Sequence, residues 1–357
     1  MPLCTALKVE RNVPLGRYTT LGIGGPARYF ARCASVEDLT QAAHFAKQNF
    51  AKVLIVGKGS NLLFDDRGYQ GLVVLNELTS CDDVPLPRKG IVQPTTMAST
   101  TTQQQVDDEV TLVVVDVDDV DQVDEVDGTT AKLEVKVGSG YAFNTLGQRL
   151  STAGWGGLEF ATGIPGTVGG AIYMNAGANG RETCEVLSSV EFLTRSGQVR
   201  RLELGGSGSC SSSDMGFTYR TSPFQGMDDL FAIVSGTFSV AASANAKATA
   251  RAYMHRRNET QPLRDKSAGC TFRNPEQPCS PGQEQVPSAG ALIDGAGLKG
   301  YSVGTAMVSP VHANYLVCTE TRETSSRDMK ELIRVVKDKV KAKTGIELET
   351  EVKIIKY

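Results

Sequence analysis

Two glycine-dense stretches carry the residue types and spacing in this 357-residue sequence that invite chemistry. The first, GKGSN, sets Gly57, Lys58, Gly59, Ser60 and Asn61 directly after the apolar run 53–56. Glycines at such a place let successive backbone N–H groups converge on an anion, a nest suited to a pyrophosphate. The same residues also make an ordinary tight turn, and the motif alone leaves both readings open. It is neither a Walker A loop nor the GxGxxG that opens a Rossmann helix. The second stretch reads GGLEFATGIPG at 156–166, then TVGG at 167–170 and NAG at 175–177. So many glycines around Pro165 predict a backbone wrapped closely against a ligand, because side chains would block the approach. A purely structural glycine loop is the alternative. Taken together, the two blocks point to a dinucleotide held outside the Rossmann scheme.

Composition narrows the chemistry further. The eight cysteines are scattered with no CxxC, which argues against a zinc ribbon or a disulfide scaffold and for a reducing compartment. His44, His255 and His312 form no HExxH, so no metal site is expected. No run of about 18 apolar residues is present, and the N-terminus has no apolar core of a signal peptide; neither a membrane span nor a secretory precursor is expected. Residues 81–127 hold twelve acidic against two basic residues, a local net of −10 in a chain of net −3, so the remainder carries +7. A mildly basic, glycine-rich body suits phosphate-bearing small molecules. No basic stripe with interleaved aromatics points to nucleic acid.

The elements that must position these residues read as α+β. SVED at 35–38 forms a capping box for a helix through Leu39, Ala42, Ala43 and Ala46. Strands are expected at 53–56, 133–137, 190–194 and 231–239, and a helix over 246–257. A second helix over 325–344 presents Met329, Leu332, Ile333, Val336 and Val340 at helical spacing and stops at Gly345. Residues 346–355 alternate as a strand, with Ile346, Leu348, Val352 and Ile354 on one face and Glu347, Glu349 and Glu351 on the other. The low-complexity stretch 81–132 reads as an acidic insertion, its second half disordered or one Val-rich strand. A docking tail for a basic partner is the minor alternative.

Further motifs join the two glycine blocks in one order: TTLGIGG at 19–25, GKGSNLLF at 57–64, GIPGTVGG at 163–170, GFTYR at 216–220, GCTFRNP at 269–275, ALID at 291–294, GLKG at 297–300 and LETEV at 348–352. By these the chain resembles the UDP-N-acetylenolpyruvoylglucosamine reductase (UDP-N-acetylmuramate dehydrogenase) family of peptidoglycan precursor synthesis. The motifs span nearly the whole chain outside 81–132. The short interval between Arg220 and Arg256 is similar to the subtype that lacks an extra Tyr-bearing loop. The resemblance implies an FAD-binding fold of the vanillyl-alcohol oxidase type in two subdomains, 1–70 and 71–240, followed by an α+β substrate domain at 241–357. It also implies NADPH as reductant, hydride passing from reduced FAD to C3 of the enolpyruvyl ether, and protonation at C2.

Residue roles follow from that resemblance and from side-chain chemistry. Gly57, Lys58, Gly59, Ser60 and Asn61, with Thr162, Gly163, Ile164, Pro165, Gly166, Gly169 and Gly170, are expected to hold FAD. Arg220, a permanent cation with a planar fork, is expected to hold the substrate carboxylate and stabilise charge building there. Glu351 is expected to support the enolate as a protonated carboxyl or through water. The proton donor is commonly Ser in this family and is Cys270 here; a thiol, with a reference pKa near 8.5, is a competent acid toward carbon. Arg256, Arg257 and Gln261 are expected at the UDP phosphates and Asn274 at the substrate. His312 and Asn314, in VSPVHAN at 308–314, match a family pattern to which no chemistry is assigned. The expected protein is a cytoplasmic monomer with a small-molecule substrate, or a stromal one if the source is a photosynthetic eukaryote. The rivals are another FAD-dependent alcohol or sugar oxidase on the same fold and a non-catalytic nucleotide-sugar binding relative.

Overall fold

Local capping chemistry sets the helix boundaries, and the antiparallel and parallel strand pairings set the rest. The computed structural model describes residues 6–85, 131–204, 215–275, 286–319 and 325–357. The chain divides into two compact units, one made of Met1–Glu77 with His255–Tyr357, the other of Leu78–Met254. The segments 1–70 and 241–357 of the sequence reading therefore fall largely within one unit. Most of the acidic stretch lies outside the described residues, including the Val-rich half.

After two short strands at Val9–Glu10 and Val13–Pro14, the first unit continues with β1 (Pro26–Cys33), α1 (Val36–Gln48), β2 (Val53–Val56), β3 (Leu62–Phe64) and β4 (Tyr69–Asn76). β4 lies between β1 and β2, parallel to both. Ser35 and Asp38 form the expected capping box of α1: the Asp38 amide donates to Ser35 Oγ and the Ser35 amide to Asp38 Oδ2. Leu39, Ala42, Ala43 and Ala46 are buried along the inner face of the helix.

The second unit contains β5 (Lys132–Gly138), α2 (Phe143–Ala153), α3 (Val168–Met174), β6 (Leu187–Thr194), β7 (Val199–Glu203), β8 (Leu230–Ala242) and the start of α4 (Ala246–Thr260). Its antiparallel sheet runs β7-β6-β8-β5. Val135, Val137, Val190 and Phe238 of the sheet bury against Phe143, Leu146 and Leu150 of α2 and Ile172 of α3.

The rest of the first unit comprises β9 (Ser267–Cys270), α5 (Ala289–Gly295), β10 (Ser302–Val303), β11 (Ala306–Val308), β12 (Tyr315–Cys318), α6 (Ser326–Thr344) and β13 (Lys353–Ile355). The sheet order is β9-β12-β11-β10, all antiparallel, and β13 pairs in parallel with β3. Ser325 caps α6, Gly345 ends it in the left-handed region at φ 74°, and the five apolar residues expected on its inner face are all buried. The α6 N-terminus gains a distant cap as well: the Ser326 amide donates to the Asp66 carboxylate at 2.8 and 2.9 Å.

The strand expected over 346–355 forms only at Lys353–Ile355. The alternation of faces is real, since Leu348 and Val352 are buried and Glu347 and Glu349 exposed. A strand also needs a neighbour, however, and β3 offers three residues of pairing. Upstream of that, the chain makes only a bridge from Thr350 to Phe272.

Candidate functional site

In the first unit, the GKGSN turn is held on two sides. Gly59 sits at φ 60°, where a Cβ would lie 2.0 Å from the Tyr18 carbonyl oxygen, so only glycine lets the turn close on the Tyr18–Thr19 backbone. The Thr20 amide donates to the Gly59 carbonyl at 3.2 Å, and Thr20 Oγ1 donates to the Ser267 carbonyl at 2.6 Å. The turn is thereby tied to β9. On the other side, the Lys353 amide donates to the Asn61 carbonyl at 3.0 Å and Asn61 Nδ2 donates to the Glu351 carbonyl at 3.3 Å. The parallel β3·β13 pairing thus brings Glu351 beside the turn.

Glu351 is not on the solvated face that the alternation suggested. Its Oε2 is shut off from solvent, and its amide donates to the Thr271 carbonyl at 2.8 Å, next to Cys270. Cys270 itself stands at a bulge. Ser267 pairs with Val317 and Cys270 with Tyr315, so β9 spends one more residue than β12 over that interval. Gly269, at φ 74° with nothing within 4 Å of where a Cβ would be, absorbs the extra residue. The carboxamide of buried Asn314 clamps this strand, receiving the Phe272 amide at 2.9 Å and donating to the Phe272 carbonyl at 2.8 Å. The Asn of the HAN pattern is therefore a support for the Cys270 strand.

Tyr315, which sequence reasoning passed over, completes the cluster. It is 4% exposed, and its hydroxyl donates to Gln261 Oε1 at 2.6 Å. It is also the residue directly opposite Cys270 in the pairing of β9 and β12. Burial pushes the phenol well above its ordinary range; the neighbouring Cys270 and Glu351 push the same way and Arg257 opposes them. The only sequence signal was its place directly after the HAN pattern. Gln261 is fixed by this bond, and its amide donates to the Arg257 carbonyl at 3.0 Å, so the last turn of α4 carries Arg257 into the same group. Asn274 is exposed at the start of α5, where its Oδ1 accepts from the Ala289 amide at 3.0 Å.

In the second unit, the other glycine block divides between packing and open space. The amides of Val168 and Gly169 donate to the carbonyls of Tyr141 and Ser139 at 2.9 and 2.8 Å. A Cβ on Gly169 would lie 2.9 Å from that of Ser139, so this glycine lets the chain pack on itself. Beside Gly170 a Cβ would meet only Thr167 Oγ1, at 3.6 Å. Gly166, at φ 129°, turns the chain after Pro165, and Thr162 Oγ1 donates back to the Glu159 carbonyl.

Arg220 lies at the tip of a tight turn closed by two backbone hydrogen bonds between Thr218 and Thr221. Its φ of 58° is unusual for a bulky side chain and marks a position held by its surroundings. Gln225 Nε2 donates to the Arg220 carbonyl at 3.0 Å and to the Tyr173 carbonyl at 2.7 Å. Buried Asn175 braces the turn from behind, donating to the Thr218 carbonyl at 3.1 Å and to Glu182 Oε2 at 2.7 Å. The guanidinium stacks over Tyr219, 4.9 Å from the ring centre, and reaches the Gly177 carbonyl. Thus Cys270, Glu351, Arg257, Gln261 and the 57–61 turn are assembled within one unit, whereas Arg220 and residues 162–170 belong to the other.

The donor set suits a dinucleotide. Each by itself, residues 57–61 in one unit and 162–170 in the other offer backbone amides and hydroxyls, with Lys58 in the first, and contain no carboxylate that would repel a pyrophosphate. Comparison with known proteins agrees. The model of the UDP-N-acetylenolpyruvoylglucosamine reductase C-terminal domain matches residues 261–355, and that of an FAD binding domain matches 92–203, taking in most of the acidic stretch. The reductase of that name from Protochlamydia amoebophila is 39% identical over 100% of this chain and 97% of its own, and that from Chlamydia abortus 38% identical over 98% and 95%. The crystal structure of UDP-N-acetylenolpyruvylglucosamine reductase from Thermus caldophilus, 28% identical, superposes with a TM-score of 0.66 over 98% of this chain and 99% of that one. The expected α+β class and FAD-binding fold stand.

Proposed function

The chain belongs to the UDP-N-acetylenolpyruvoylglucosamine reductase family, and we propose that it reduces the enolpyruvyl ether of UDP-N-acetylglucosamine to UDP-N-acetylmuramate at the expense of NADPH. The observation that supports this most directly is the way backbone hydrogen bonds in the first unit bring together the Cys270 strand, Glu351 with its solvent-shielded Oε2, and the GKGSN turn. Residues 57–61 of one unit and 162–170 of the other are those that would contact FAD, which when bound would supply the hydride chemistry between NADPH and C3 of the enolpyruvyl group.

The side chains do the rest. Negative charge left at C2 and spread into the adjoining carboxylate requires a cation and an acid. Arg220 matches a carboxylate with its fork, and its braced turn limits the entropy lost on binding. Cys270 gives its proton to C2, and the bulge at Gly269 aims it. Glu351 supports the charge through its solvent-shielded Oε2, where interactions are stronger than in open solvent. Arg257 and Gln261 meet the phosphates of the nucleotide, Gln261 through Nε2 because Oε1 accepts from Tyr315. The protein works as a cytoplasmic monomer in peptidoglycan precursor synthesis. Among the described residues, no helix is long and apolar enough to cross a membrane.

The test is NADPH oxidation with and without the enolpyruvyl substrate, on protein whose flavin spectrum has been recorded. Turnover that depends on the substrate is expected. Flavin reduced by a small alcohol and rapidly reoxidised by oxygen would instead indicate an oxidase.

A further inference from the structure

Tyr315 enters the mechanism above only through its bond to Gln261, yet it is also paired with the proton donor. It is paired with Cys270 in the register of β9 and β12, which sets their side chains next to each other on one face of the sheet. A phenylalanine would fill the same volume. The hydroxyl is costly to bury unless it is hydrogen-bonded; here it donates to Gln261 Oε1 at 2.6 Å, and Cys270 stands opposite it on the neighbouring strand. A tyrosine hydroxyl carries one proton on a rotor. With that proton on Gln261, the phenol oxygen can only accept from the Cys270 S–H; with the rotor turned, it donates to sulfur.

We propose that Tyr315 is a positioning residue for Cys270, holding the thiol before proton transfer and donating its O–H to the thiolate afterwards. The inference rests on the reading of Cys270 as proton donor. In the step, the S–H bond breaks and a C–H bond forms at C2 of the substrate, while the S–H electron pair stays on sulfur. The Tyr315 O–H bond stays intact and only exchanges Gln261 for sulfur as acceptor. Solvent then returns a proton to the thiolate. Burial disfavours a bare thiolate, and a donor at hydrogen-bond distance offsets that penalty. The groups facing the phenol are Arg257 and Gln261 from the end of α4, Cys270 from β9, His312 from the turn before β12 and Glu351 before β13. Arg257 alone among them is a fixed cation. The phenol itself stays protonated, because burial pushes it far above neutrality.

The experiment uses the full-length flavin-loaded protein and two variants, Tyr315→Phe and Gln261→Leu. The rate at which iodoacetamide alkylates Cys270 is followed against pH by peptide-resolved mass spectrometry, with flavin content and thermal midpoint recorded for each protein. Tyr315→Phe moves the Cys270 profile to higher pH. Gln261→Leu, which removes the competing acceptor, moves it to lower pH. In stopped flow, Tyr315→Phe slows reoxidation of reduced flavin by the enolpyruvyl substrate roughly tenfold to a hundredfold, the range for a hydrogen bond to a charged group. Reduction by NADPH changes less than about twofold, since that step creates no thiolate. A slow reoxidation with an unmoved alkylation profile overturns the inference, because Tyr315 would then act on the substrate. Normal behaviour of Tyr315→Phe in both assays, beside a slow Cys270→Ala, overturns this inference alone. A Cys270→Ala protein with normal reoxidation overturns the reading of Cys270, and this inference with it.

Discussion

Replacing Gly59 with alanine tests whether the GKGSN turn is a closed piece of architecture on which flavin binding depends. The backbone at φ 60° costs a residue with a Cβ about 1–2 kcal/mol. The added carbon would sit 2.0 Å from the Tyr18 carbonyl oxygen and 2.8 Å from the Thr19 Cα, so two backbones must part. Overpacking of that kind costs about 1–3 kcal/mol, and losing the bond from the Thr20 amide to Gly59 about 0.5–1.5 kcal/mol more. Together these come to about 3–6 kcal/mol, a large share of the stability of a domain. Gly300→Ala is the control. Gly300 lies in the same unit at φ 77° with nothing within 4 Å of where a Cβ would be, so it bears the backbone cost alone. Thermal unfolding of the apoprotein should place Gly59→Ala below wild type by at least about 6 °C, and below Gly300→Ala by most of that. Titration with FAD should show weakened binding for Gly59→Ala only. A Gly59→Ala protein that melts with Gly300→Ala and takes up FAD like wild type would refute the reasoning.

Further outcomes follow from other parts of the structure. Cys270→Ala should leave flavin reduction by NADPH nearly unchanged and slow reoxidation by the enolpyruvyl substrate about 10²–10⁴-fold, with Cys270→Ser recovering much of the loss; equal slowing of both half-reactions in stopped flow would reassign the proton donor. The purified protein should be yellow, with FAD released intact on acid precipitation, and a colourless protein that takes up no FAD on titration would sink the cofactor assignment. Arg67, first, and Lys330 at 2.7 Å hold the Asp65 carboxyl far below the usual carboxylate range. A depressed folded-state pKa stabilises the protein above the unfolded value near 3.9 and is lost as pH falls below it. Lys330→Met should therefore lower the thermal midpoint at pH 7 and converge on wild type in strong acid; a deficit that is the same at every pH would count against the ion pair.

What could be read from the sequence is what local chemistry decides. The capping box at Ser35 and the Gly345 stop each need only a few neighbouring residues, and both form as expected. Glycine density marked close approach but could not say to what. Gly59 closes on Tyr18, Gly68 on Pro26 and Gly169 on Ser139, so several of these glycines serve the chain's own packing as well as any ligand. The alternation over 346–355 separated buried from exposed residues correctly, while the extent of the strand was set by β3, some 290 residues earlier.

The same limit explains the site. Glu347, Glu349 and Glu351 are equivalent by period; the LETEV motif singled out Glu351 by resemblance, without a physical reason for its inward turn. Glu351 alone is drawn inward, because the chain at that point bonds simultaneously to Thr271 and Asn61. Cys270 was visible as a departure within a motif, whereas its pairing with Tyr315 depends on a register between strands about 45 residues apart and on one extra residue taken up at Gly269. Without that bulge the side chains of β9 beyond it would alternate to the opposite face, as any one-residue slip requires. The thiol would then face away from the phenol, Gln261 and the GKGSN turn. The reactive residue types are therefore written in the motifs, but their presence on one face is a property of the register.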